Sequence, residues 1–215
     1  MKELYIVGAG GFGREVAWLV ERINKCNEEW NLKGFIDDNN ELHGKKEGRY
    51  QIIAGTDYLL NINRDIWVVC AVGAASTRKK IIKRIESNKN IHFATLVDPA
   101  VLLSDRVEIG EGSIICAGCI ITVDINIGKH VIVNLDCTIG HDARLCNYVT
   151  VYPSVNISGF VTIEDEAEIG TGTQIIQGKT IEKETIIGAG SVVVKDIPAK
   201  CTAVGSPAKP IKFRE

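Results

Sequence analysis

The chain has 215 residues, and 25 Lys and Arg against 27 Asp and Glu give a formal charge of −2. That balance disfavours nucleic acid and anionic membrane as partners, and no apolar run reaches the roughly 20 residues that a membrane span needs. The opening MKELYIVGAGG has no basic segment, long apolar core and small-residue cleavage site, so the expectation is a cytoplasmic protein whose seven cysteines are reduced thiols.

Hydrophobic patterning predicts strand 4–7, helix 12–25, strand 32–37, a short strand near 51–53, helix 56–61, strand 66–71, helix 75–87 and a last strand near 91–95. This alternation reads as an open α/β sheet, a Rossmann-like domain over residues 1–95. In LYIVGAGGFGREVAWLV, Gly8, Gly10 and Gly13 have GxGxxG spacing between a strand and a helix, the fingerprint of a dinucleotide loop. The elements supply one mononucleotide-binding half, however, and no dehydrogenase-like catalytic domain follows, so a nucleotide sugar fits better than NAD. Gly8, Gly10, Gly11, Phe12 and Gly13 are expected to bring backbone N–H groups to a diphosphate or sugar. Asp37 and Asp38, at the end of the second strand, can accept from a base N–H or a ribose. A second loop, VGAASTRKK, adds Gly73 and Arg78, with Lys79 read as a solvated helix face.

From residue 96 onward the pattern changes. Stepping by six from Ile109 gives Ile109, Ile115, Ile121, Ile127, Val133, Ile139, Leu145, Val151, Ile157, Ile163, Ile169, Ile175, Ile181, Ile187 and Val193, all aliphatic. Neither a 3.6-residue nor a two-residue period produces this register; it is a hexapeptide solenoid. Four residues after each aliphatic stands a mostly small or β-branched residue, from Ser113 and Cys119 to Thr185 and Ser191, with Lys179 the exception. Gly110, Gly128, Gly140, Gly170 and Gly188 follow the aliphatic position, where sharp corners are expected to need a residue without a Cβ. The Cys116–Cys119 pair of ICAGCI lacks a second ligand pair at zinc spacing, and no metal is expected.

The pattern [LIV]-G-x-x-[STAV]-x resembles the left-handed parallel β-helix of the hexapeptide acyltransferases. VGAGGFG at the start, the GHD step at 140–142 and VGSPAK near the end together resemble the NeuD/PglD family of sugar acyltransferases. The resemblance covers essentially the whole chain. It implies an α/β Rossmann-like domain joined to an all-β left-handed β-helix over residues 96–215 with a C-terminal cap. It further implies a homotrimer with active sites between neighbouring prisms, acetyl-CoA as cosubstrate, and N-acetylation of the 4-amino group of a UDP- or dTDP-linked 4-amino-dideoxy sugar in surface glycan biosynthesis. His141 matches the family's catalytic base, Asp142 its acidic partner and Asn134 an asparagine near the acceptor. Neutral imidazole suits that work near pH 7. Gly159, Gly170, Thr171, Gly188 and Ala189 match the acetyl-CoA groove, and Lys209 can reach a CoA phosphate. Thr150 stands where some relatives carry a second histidine, nine residues after the first.

Three alternatives stay open at this point. Sialic acid O-acetylation is a second activity of the same family, and a nucleotide-sugar-binding scaffold would need no acetyl-CoA. A zinc site of the carbonic anhydrase type would need three histidines, and only His130 and His141 lie in the repeat.

Overall fold

The computed structural model describes residues 1–214. Two compact units are present, one formed by residues 1–73 and 77–99 and the other by residues 74–76 and, among the described residues, 100–214.

In the first unit, β1 (Lys2–Val7), α1 (Gly11–Cys26), β2 (Trp30–Ile36), β3 (Lys46–Glu47), β4 (Tyr50–Ala54), α2 (Asp57–Leu60), β5 (Ile66–Cys70), α3 (Ala75–Ile85) and β6 (Ile91–Phe93) follow in chain order. The sheet order is β3-β4-β2-β1-β5-β6, parallel except for β3, which pairs antiparallel with β4. β5 and β6 extend the sheet beyond β1, and the strand order reverses between β1 and β5. Ligands of open α/β sheets bind at such a reversal, outside the carboxyl ends of the strands. The glycine loop after β1 and the 71–74 loop after β5 both stand there. The short hairpin strand β3 escaped sequence reading because KKEG has no apolar alternation. Helix α1 forms because Val16, Ala17, Leu19 and Val20 recur on one face, and all four are buried.

The second unit is the expected left-handed parallel β-helix. One side stacks Ile114–Ile115, Ile132–Val133, Thr150–Val151, Glu168–Ile169 and Ile186–Ile187. The second side runs from Leu102–Leu103 through Ile120–Ile121, Thr138–Ile139, Asn156–Ile157 and Gln174–Ile175 to Val192–Val193. The third runs from Val107–Ile109 through Ile125–Ile127, Arg144–Leu145 and Thr162–Ile163 to Thr180–Ile181. Every pairing joins residues eighteen apart, one full turn. The repeating aliphatics from Ile115 to Val193 are all buried at 2 % exposure or less, and Ile109, near the beginning, is half-buried. The tail extends the first side with Cys201–Val204 and folds Lys209–Phe213 back on it antiparallel.

The glycine reading needs a correction. The residues with left-handed backbone are two positions further on: Asp124, His130, Asp136, Asp142, Tyr148, Ser154, Phe160, Glu166 and Glu184, with φ between 55° and 60°, and Gly112, Gly118, Gly172, Gly178 and Gly190 in the same register. Gly110, Gly128, Gly140, Gly170 and Gly188 are glycine for a different reason. A Cβ on Gly110 would stand 2.6 Å from the Gly128 backbone, and one on Gly170 2.6 Å from Ala189 N. They are points of close approach between coils.

Of the cysteines, Cys26 is exposed, Cys146 is half-buried and the other five are buried. Burial pushes the Cys70 thiol up to about 12 and raises Cys146 and Cys201 as well. A thiol-disulfide reagent at pH 8 is therefore expected to titrate Cys26 rapidly, Cys146 slowly and the remainder only after unfolding. Five or more fast equivalents would contradict this packing.

Candidate active site

His141 and Asp142 follow the Thr138–Ile139 strand, at the corner between the second and third sides. Adjacent residues on a regular strand point to opposite faces. Here the left-handed φ of 59° at Asp142, which aspartate tolerates, turns its carboxylate back. Asp142 Oδ2 lies 2.8 Å from His141 Nδ1. An ionised carboxylate only accepts, so Nδ1 carries the proton and the Nε2 lone pair is left to take another. The imidazole is 51 % exposed and Asp142 42 % exposed, so the pair faces solvent while the aliphatic core holds the corner below. Gly159 is buried beneath the ring: a Cβ there would lie 2.6 Å from Cε1 and 2.7 Å from Nε2. Its expected contact with pantetheine is corrected accordingly, since the space that its missing side chain leaves is filled by His141.

The other residues matched to the acetyl-CoA groove fall on a different corner. Gly170, Thr171, Gly188 and Ala189 stand between the first and second sides, following the strands that end at Ile169 and Ile187, and Asn134, matched to the acceptor, follows Val133 on that same corner. Thr171 and Ala189 are exposed. Gly170 and Gly188 serve coil contacts, with a Cβ on Gly188 meeting Val204 at 2.7 Å. Asn134 Oδ1 accepts from Leu135 N–H at 2.7 Å. A full prism side separates it from His141, and no contact among the described residues joins them within one chain. Lys209 is exposed on the last strand, and Thr150 is fully buried.

In the first unit, Gly8 has φ of 100° and Gly13 packs against it, a Cβ on Gly13 lying 2.0 Å from Gly8 O. Both are required by the strand-to-helix turn. A Cβ on Gly10 would meet nothing within 4 Å, and Gly10 and Gly11 are exposed, with Phe12 half-buried beside them. That open backbone is what a ligand can approach. Asp37, half-buried, and Asp38, exposed, both hold neighbouring backbone in place. Asp37 Oδ2 accepts from Ala9 N–H at 2.9 Å and its Oδ1 from Asn39 N–H at 3.0 Å, fastening the glycine turn from behind. Asp38 Oδ1 accepts from the Thr56 N–H at 2.7 Å and hydroxyl at 2.9 Å. Arg78 is 1 % exposed and donates to Val72 O at 2.6 Å and Gly73 O at 2.9 Å. It shapes the second loop, and its enclosure keeps it from a diphosphate.

Sequence reasoning missed Phe160, whose ring meets His141 edge-on with centroids 5.1 Å apart. The available signal was an aromatic residue in the left-handed register, three residues after Ile157. Among the described residues no cluster of His, Cys, Asp and Glu is gathered for a metal, and no helix is long and apolar enough to cross a membrane.

Comparison with known proteins agrees in both units. The model of the PglD N-terminal domain matches residues 3–85. GDP-perosamine N-acetyltransferase of Escherichia coli O157:H7 is 31 % identical over 217 residues, 96 % of this chain and 95 % of that protein. UDP-N-acetylbacillosamine N-acetyltransferase of Bacillus subtilis strain 168 is 34 % identical over 118 residues, 54 % of this chain and 52 % of that one. The crystal structure of PerB from Caulobacter crescentus, in complex with CoA and GDP-perosamine, superposes with a TM-score of 0.87 at 26 % identity, covering 99 % of this chain and 98 % of that one.

Proposed function

Because this chain belongs to the NeuD/PglD-like family of sugar acetyltransferases, we propose that it transfers acetyl from acetyl-CoA to the 4-amino group of a nucleotide-linked 4-amino-dideoxy sugar, in the cytoplasm. The observation that carries the reading is the His141–Asp142 pair, with Nδ1 held at 2.8 Å and Nε2 open. The neutral amine attacks the thioester carbonyl as Nε2 takes its proton. The tetrahedral intermediate then collapses, the C–S bond breaks, and the imidazolium returns the proton to the CoA thiolate. Asp142 stabilises the imidazolium on the way. The products are the acetamido sugar and CoA, with no covalent enzyme intermediate, so ternary-complex kinetics are expected and a ping-pong pattern would contradict the scheme.

The exposed backbone at Gly10 and Gly11, beside the strand-order reversal, is the proposed seat of the nucleotide diphosphate. Of the carriers, GDP stands ahead of UDP and dTDP, a preference supported by the full-length likeness to one protein named for GDP-perosamine and another solved in complex with it. A trimer is proposed because the small-residue corner at Gly170, Thr171, Gly188 and Ala189 and the His141 corner can line one site when they come from neighbouring copies. The exposed Leu102 and Ile120 on the intervening side supply apolar surface for that contact. Light scattering is expected to give three times the 23.5 kDa chain mass.

The test of the activity is CoA thiol release with GDP-, UDP- and dTDP-linked 4-amino-dideoxy sugars, with sialic acid and its CMP form in parallel. Release with an amino sugar is the expected result. Release only with the sialic acids would move the activity to O-acetylation, and none with any acceptor would favour a binding scaffold.

A further inference from the structure

Phe160 stands one coil beyond Asp142 on the same corner, with a left-handed φ of 59°. Glycine, asparagine and aspartate take that conformation readily, whereas a bulky residue takes it at a cost. The chain uses Asp124, Asp142 and Gly178 at the other levels of this corner, while another corner also places bulky His130, Tyr148 and Glu166 in this conformation. Core packing does not account for the exception, because Phe160 is 53 % exposed. Its ring meets the imidazole edge-on, at 87° with centroids 5.1 Å apart.

We infer that Phe160 is a positioning residue, holding the His141 imidazole against the Asp142 carboxylate so that Nε2 keeps one direction. Asp142 restrains the ring through a single hydrogen bond, about which it can swing; the phenyl group, above the room left by Gly159, removes that freedom. The inference rests on His141 being the base.

The test compares Phe160→Gly and Phe160→Asn with Phe160→Tyr. Relief of the left-handed backbone is expected to leave Tm unchanged or higher by about 2 to 4 °C in the first two. Their kcat is expected to fall about 10- to 100-fold, because small displacements of a reacting group have effects of that size. KM for both substrates should stay near wild type, and Phe160→Tyr should retain activity. Unchanged kcat, a loss confined to KM, or a marked fall in Tm would each overturn the inference. A second readout needs no turnover: carbethoxylation of His141 by diethyl pyrocarbonate, followed by peptide mass, should be several-fold faster in Phe160→Gly. Equal rates would overturn the positioning role. Faster modification in a protein that acetylates no acceptor would leave the positioning role standing and sink the proposed function instead.

Discussion

Replacing His141 with alanine is expected to lower kcat for acetyl transfer by about 10²- to 10⁴-fold, the range a positioned general base contributes. The neutral amine can still attack without help, but its proton then has no acceptor at the moment the bond forms, and the thiolate has no donor as it leaves. The side chain is 51 % exposed and lies outside the aliphatic core, so the variant should fold normally and keep its affinity for CoA. Asp142→Asn should fall less steeply, because it keeps an oxygen acceptor for Nδ1–H and loses only the charge that favours the imidazolium. Calorimetric titration with CoA beside steady-state rates separates binding from chemistry. A His141→Ala protein turning over within tenfold of wild type would remove the imidazole from the mechanism.

A second large effect is expected at Gly13→Ala, this time on stability. The added Cβ would sit 2.0 Å from Gly8 O and 3.0 Å from Gly8 C, and both are backbone atoms without a rotamer to yield. Helix α1 must lift from β1 or the glycine turn must move, at a cost of about 3 kcal/mol or more. The turn is fastened by the Asp37 contact to Ala9 N–H, so its displacement would also disturb the backbone proposed to meet the diphosphate. Gly10→Ala is the matched control, since its Cβ enters open space. Urea denaturation should show a lower midpoint for Gly13→Ala and a wild-type midpoint for Gly10→Ala. A wild-type midpoint for Gly13→Ala would mean that the turn is softer than its geometry indicates.

The amino-acid sequence by itself determined the period-six register, and with it the solenoid. Each hexad carries its own aliphatic anchor, so a local pattern repeated fifteen times suffices to specify which residues face inward. It likewise determined the strand, glycine turn and helix that open the chain, because those signals lie within a few residues of one another. Only the tertiary structure decided what the individual polar groups do. Arg78 and Asp37 read as ligand contacts, and the fold shows that each also fastens a loop, Asp37 through a backbone N–H that comes 28 residues earlier in the chain. Gly159 read as clearance for a cofactor and proves to be clearance for an imidazole one coil away. The Asp142 carboxylate reaches its neighbour's ring because of a single left-handed torsion, and Phe160 meets that ring from eighteen residues along the chain. Burial periodicity is a property of local sequence, whereas a hydrogen-bond or ring partner is set by whichever group the completed turn brings alongside.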